Sequence, residues 1–294
     1  MFKNFRDTRM YFEPRVINNL TLIMSDGFLQ NESSLFLKSL KIGALFRTFC
    51  IFRIKKVIFY HDDGQEEDRQ VIKDIVSYLN RAPYLRKYVG KKQNLKFSAA
   101  IPPVQTASHV GTRSGSTLFK EAAILSREID RNHLKSLIVD TGERTAKIHL
   151  NDEDKYSSKL TEDDVIIISI DDKNHLGIVD SVPFYWKTEF EFGKKPLGEI
   201  FSRFSSEQYH NIFATAYGDV ITYSNLKKKL KSAENRDLII YFGPIKGSFR
   251  DFINKSKMTV GRNCSFVNFI PDQGTMTVRI EEAIHSVLTL LNLV

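Results

Sequence analysis

FVNFIPDQGTMTVRIEEAIHSVLTLLNLV, residues Phe266 to Val294, passes from an apolar strand into Pro-Asp-Gln-Gly-Thr and leaves as an amphipathic helix. A glycine-bearing loop so close to the end of the chain should fray unless something holds it. The same design occurs twice upstream, in IFATAYG and DLIIYFG, short β-rich runs that end in glycine or small residues. In open α/β sheets ligands bind at the carboxyl ends of the strands, which is where these three loops are expected to gather.

Strands and helices also alternate over roughly residues 15–100. NLTLIMSD reads as a strand, Ser33 to Arg53 as a helix, KKVIFYHDD as a strand, DRQVIKDIVSYLNRAP as a helix and LKFSAAI as a further strand. Alternation at this spacing predicts a mainly parallel sheet with crossover helices. Between about Ala107 and Val182 the character changes. Five strand-like runs (FKEAAILSREI, LKSLIVDTG, RTAKIHL, DVIIISIDD and HLGIVDSV) follow one another with little helix. That pattern predicts a small closed barrel of the OB type, inserted into an α/β domain. The expected organisation is therefore a first α/β part over 1–106, the barrel over 107–182, and a second α/β part over 183–294. Barrels of this kind often bind single-stranded nucleic acid through a basic, aromatic face; contact with RNA is the expected role here, and a rigid spacer, since few aromatics look exposed, is the bland alternative.

Composition narrows the partners. The 294 residues, 42% hydrophobic, hold 43 Lys+Arg against 35 Asp+Glu, a net charge of +8. That surplus suits a polyanion, nucleic acid above all. Cys50 and Cys264 both lie in apolar runs and read as reduced, buried thiols. No Cys/His cluster has zinc spacing, so no metal site is expected. MFKNFRDTRMYF is charged throughout, unlike a signal peptide, and no apolar run approaches membrane-spanning length. The reading is a cytoplasmic protein with no membrane partner.

Individual residues are weaker guides. Gly43 and Arg47 stand at i and i+4 in KIGALFRTFCIFRIKKVIF, and an arginine in so apolar a helix must reach an edge or an anion. A snorkelling or ion-paired arginine fits the spacing better. Glu281 and Glu282 follow the last loop at a helix start, where capping accounts for acidic residues. His109 in PPVQTASHV reads as an exposed linker histidine, and Lys227, Lys228, Lys229 and Lys231 as a solvated helix face. His61-Asp62-Asp63 ends a strand and, lacking further ligands, reads as a loop.

The Lys41–Phe59 segment resembles the first motif of the SPOUT superfamily of RNA methyltransferases, with Gly43 and Arg47 at matching positions and Lys41 where the family often has Asn nearby. YLRKYVGKKQNLKFSAAIPP, YFGPIKG and PDQGTMTVRIEEAI resemble the archaeal and eukaryotic branch that carries an inserted OB-like barrel. This resemblance implies a C-terminal segment threaded through a preceding loop as a trefoil knot, a topology that connectivity rules would not suggest. A threaded end cannot fray. It further implies S-adenosylmethionine held largely by backbone in three loops, where glycine permits close approach. Those loops are Thr215-Ala216-Tyr217-Gly218, Gly243-Pro244-Ile245-Lys246-Gly247 and Ile270-Pro271-Asp272-Gln273-Gly274-Thr275. The implied activity is methylation of RNA, ribosomal RNA in particular, at uridine N3, by a homodimer in which Arg47 orients substrate or steadies a developing anion, within its own chain's site or its partner's. Ribose 2′-O methylation, or a scaffold that binds RNA without transferring methyl groups, are the alternatives.

Overall fold

The computed structural model describes residues 19–293 apart from 62–64, 131–132, 151–159, 163, 233–235, 245–246, 248 and 257–259. The charged N-terminal run over 1–12 lies outside the described residues. Along the chain come β1 (Leu20–Ser25), α1 (Leu35–Ile51), β2 (Lys56–Tyr60) and α2 (Glu66–Asn80). Then follow α3 (Ala107–Val110), β3 (Thr112–Ser114), β4 (Thr117–Asp130), β5 (His133–Asp140), β6 (Thr145–His149), β7 (Val165–Ile170) and β8 (Leu176–Val179). The last part holds β9 (Glu189–Phe192), α4 (Leu197–Ser202), β10 (Tyr209–Val220), α5 (Tyr223–Ser232), β11 (Asp237–Phe242), α6 (Phe249–Ser256), β12 (Cys264–Asn268) and α7 (Ile280–Leu291). Two compact units result. Among the described residues, one comprises 19–76, 93–102 and 188–293, the other 77–92 and 103–187.

The first unit is built on a six-stranded sheet in the order β12-β10-β11-β1-β2-β9. Every pairing in it is parallel. Its central strands are buried on both faces, as parallel strands covered by helices must be. LTLIMS and DLIIYF each hide five of six residues for that reason. Ile23, Ile58, Phe213, Ile239 and Tyr241 form the centre of one core, against which Phe201 and Phe249 pack. Ser34 caps α1 by accepting from the Leu37 N–H at 3.3 Å, which fixes one of the helix's four unpaired donors. Gly43 in α1 faces Ile101, whose Cγ2 would stand 2.4 Å from an added Cβ. It is therefore a packing glycine.

Two expectations fail here. LKFSAAI is no strand; it forms short 3-10 turns at Gln93–Leu95 and Ser98–Ala100. Its apolar residues serve as plugs instead, Ile101 against Gly43 and Phe97 edge-on to Phe36 at 5.4 Å. The sheet position beside β2 belongs to β9, a four-residue EFEF run too short to stand out in the sequence. Its two phenylalanines share one face, where Phe192 stacks on Phe59 at 4.9 Å and Phe190 on Phe46 at 5.9 Å. The cysteines are free but half-buried rather than buried.

In the second unit all five expected strand runs are present, as β4 to β8, in an antiparallel sheet ordered β6-β5-β4-β7-β8 with β3 paired to β4. No ladder among the described residues joins β6 to β8, so these strands form an open sheet where a closed barrel was expected. Ile124, Leu137, Val139, Ile148 and Ile168 form its core. Glu121 is wholly buried yet satisfied, accepting from Lys187 at 2.6 Å and from the Ala82 N–H at 3.1 Å. His109 is buried, not an exposed linker residue: its Nδ1 lies 2.6 Å from the Val104 carbonyl, and burial pushes the imidazole below its ordinary pKa. The one-turn helix α3 carries it inward, which a loop reading of PPVQTASHV had no means to anticipate. No described helix is long and apolar enough to cross a membrane.

Candidate active site

Because all six strands run parallel, their carboxyl ends share one edge of the sheet. β12, β10 and β11 are consecutive neighbours, with Ala214 paired to both Val267 and Phe242. The second and third loops singled out in the sequence therefore leave strand ends on either side of β10, the strand that carries the first.

The first loop is a bulge. Ala214 and Asp219 both pair with Val267, so Thr215, Ala216, Tyr217 and Gly218 are the four residues that the register skips. Bulges of this kind eject residues from a ladder and re-aim them. A Cβ on Gly218 would meet the Val267 nitrogen at 2.4 Å and the Phe266 carbonyl carbon at 2.6 Å. Glycine is thus required there by the approach of the β12 main chain. Asn268 binds the first loop to the last: its Nδ2 donates to the Ala216 carbonyl at 3.0 Å, and its Oδ1 accepts from the Ile270 N–H at 3.0 Å. Nothing in the sequence marked Asn268 beyond a polar side chain closing an apolar strand.

The second loop begins at Gly243, whose added Cβ would only touch the Phe249 ring at 3.4 Å. Pro244 follows it, half-buried. Ile245 and Lys246 lie outside the described residues. Gly247 has a φ of 89°, a conformation for which glycine is suited, and α6 starts two residues later.

The third loop, Ile270 to Thr275, folds on itself. Gln273 donates through Nε2 to the Thr275 carbonyl at 2.9 Å and to the Met276 carbonyl at 3.3 Å. Pro271, Gly274 and Thr275 are exposed, and an added Cβ on Gly274 would find nothing within 4 Å. Met276 and Tyr217 stand almost wholly in solvent, 99% and 86% exposed. After the loop, the Arg279 N–H donates to Glu282 Oε2 at 2.9 Å, so Glu282 caps α7. Glu281 lies 3.4 Å from Lys41 of α1, which also pairs with Glu32 at 3.0 Å.

Arg47 belongs to α1 and not to the loops. It is exposed on α1, one turn beyond the buried Gly43. Lys227, Lys228 and Lys231 are likewise exposed on α5. The edge holds one further cluster, not foreseen as such. Asp26 directly follows β1 and His61 directly follows β2, and His61 Nδ1 lies 3.0 Å from Asp26 Oδ2. Arg69 of α2 donates to the same carboxylate oxygen and to the Gly193 carbonyl at 2.6 Å. Among the described residues no group of His, Cys, Asp or Glu could hold a metal ion.

Residues 19–291 match the sequence profile of the family described as "Putative RNA methyltransferase". The chain belongs to this family. It is also 23% identical to a 28S rRNA (uridine-N(3))-methyltransferase of Drosophila melanogaster, over 91% of this chain and 60% of that protein. Uncharacterised proteins of Halobacterium salinarum and Haloarcula marismortui are 22% and 24% identical, each over 86% of this chain and 91% of its own length. The chain thus spans less than two thirds of the fly methyltransferase that it matches.

Proposed function

We propose that this protein transfers a methyl group from S-adenosylmethionine to N3 of a uridine in RNA, ribosomal RNA in particular. The observation that carries the reading is the meeting of three glycine-bearing loops at neighbouring carboxyl ends of a parallel sheet. The loops suit that cofactor: Gly274 faces open space, and Asn268 holds the first and third loops to each other. Thr215, Ala216, Tyr217, Gly218, Gly243, Pro244, Gly247, Ile270, Pro271, Gln273, Gly274 and Thr275 are the residues assigned to holding it. When bound, the cofactor supplies a sulfonium methyl group open to in-line attack. The chain contributes mainly position, which is worth much of such a barrier. Arg47, exposed on α1, orients substrate or steadies the anion that develops on the base, from its own subunit or across a homodimer.

A SPOUT-type trefoil knot would fasten the third loop, and α7 against α1 is the contact that would hold it. The open antiparallel unit, read as an OB-like barrel, would grip RNA through exposed cations such as Arg113 and Arg144. The fly relative's printed activity favours uridine N3 over a ribose oxygen. Titration calorimetry separates an enzyme from a scaffold of the same fold. The enzyme binds S-adenosylmethionine at one site per chain and passes a tritiated methyl group to RNA. A protein that does neither is a scaffold.

A further inference from the structure

Methylating uridine at N3 requires that a proton leave that nitrogen, and among the described residues of the three loops the one carboxylate, Asp272, is exposed on the outer loop. The other half of the same sheet edge offers a histidine. Asp26 and His61 are the first residues past two adjoining parallel strands, so their side chains meet beyond the sheet. Asp26 is buried, 1% exposed, and Arg69, 3% exposed, is fixed against it and against the Gly193 carbonyl. A buried ion pair generally repays its desolvation poorly as a source of stability. What this one accomplishes is orientation. A carboxylate can only accept, so the His61 nitrogen facing it, Nδ1, must carry the ring proton. Nε2 is left with a lone pair, on a side chain 43% exposed.

The pair also lies near the second loop. Tyr60, the residue before His61, donates through its hydroxyl to the Phe242 carbonyl at 3.3 Å, next to Gly243. β1 alone separates β2 from β11, so two strand spacings, about 10 Å, part the two strand ends. A pyrimidine bound over the end of β1 would span that distance.

We propose that His61, oriented by Asp26, is the general base that takes the N3 proton of the target uridine. This rests on the uridine-N3 reading above. The N3–H bond breaks and its proton passes to His61 Nε2. The electron pair left on N3 forms the new N–CH3 bond, while the methyl carbon's bond to the donor sulfonium breaks with its pair on sulfur. The imidazolium so formed faces the Asp26 carboxylate, and its proton leaves to water after turnover. Arg69 is a positioning residue, acting on His61 only through Asp26.

Three measurements test this. In cofactor-free protein at alkaline pH, long-range proton–nitrogen NMR should find His61 neutral with the proton on Nδ1, its signals assigned by their loss in His61→Gln. A proton on Nε2 would overturn the proposal. On a transcript of large-subunit ribosomal RNA, His61→Gln should lower 3-methyluridine formation by about a hundredfold or more, the scale of general-base loss. Affinities for S-adenosylmethionine and RNA should stay within about twofold. Transcripts made with 5-fluorouridine, whose N3–H is more acidic, should recover most of that loss, because they need the base less. Undiminished turnover by His61→Gln, or an equal deficit on both transcripts, would remove His61 from proton transfer. A wild-type protein that forms no 3-methyluridine defeats the parent reading instead, and with it this one.

Discussion

Gly274→Val puts a branched side chain where the structure has open space. At Gly274 the backbone is not left-handed, and no heavy atom lies within 4 Å of an added Cβ. The residue is exposed, so the substitution should change stability by no more than about 0.5 kcal/mol. The same space is where backbone would meet S-adenosylmethionine, and filling it should weaken binding at least a hundredfold, about 2.8 kcal/mol. Gly218→Ala makes the opposite case. Its Cβ would come within 2.4 Å of the Val267 nitrogen, and main chain cannot swing aside as a side chain can. The β10–β12 ladder must open, at a cost of about 1–3 kcal/mol. Titration calorimetry with S-adenosylmethionine and thermal unfolding of each variant distinguish the two effects. The expectation is that Gly274→Val melts with the wild type but does not bind, whereas Gly218→Ala melts early. Undiminished affinity in folded Gly274→Val would refute the reasoning and remove the third loop from the cofactor site.

Arg47→Lys keeps the charge but loses the planar fork, and should lower turnover about a hundredfold with cofactor affinity unchanged; full activity would return Arg47 to a surface role. Glu121→Ala leaves the buried Ala82 N–H without its acceptor, and should cost about 1–3 kcal/mol in chemical denaturation, whereas an unchanged midpoint would show that the contact contributes nothing. The forked Arg203, and then Lys56 at 2.6 Å, push the Glu191 carboxyl down to a pKa of about 2. A depressed carboxylate lends stability above its unfolded pKa and loses it as pH falls through the folded value. The contribution should therefore vanish between about pH 4.5 and 2, be worth about 1 kcal/mol after solvent screening, and be absent from acid titrations of Glu191→Gln. Arg113→Ser combined with Arg144→Ser should weaken RNA binding and reduce its salt slope by about 1.4, or about 0.7 for each charge removed; an unchanged slope would assign binding to the parallel-sheet unit.

The strands were legible where burial writes itself into composition. LTLIMS, DLIIYF and the five runs of the antiparallel unit are apolar because both faces, or one, are covered. EFEF was missed since four residues give too little alternation to read, and LKFSAAI misled because plugging residues are as apolar as strand residues. The loop over Thr215 to Gly218 was visible as a sequence ending, but not as a bulge, because register depends on the partner strand. Asp26 and His61 are thirty-five positions apart. Only the parallel pairing of β1 with β2 brings them together, although each could have been noticed as a polar residue directly after an apolar strand.

Mass spectrometry of nuclease-digested RNA, after incubation of the wild-type protein with S-adenosylmethionine and a transcript of large-subunit ribosomal RNA, tests the assigned reaction most directly. A new 3-methyluridine that appears with wild-type protein and is absent with Gly274→Val is the predicted result. Methylation at a ribose 2′-oxygen, or an RNA left without any new methyl group, would contradict it.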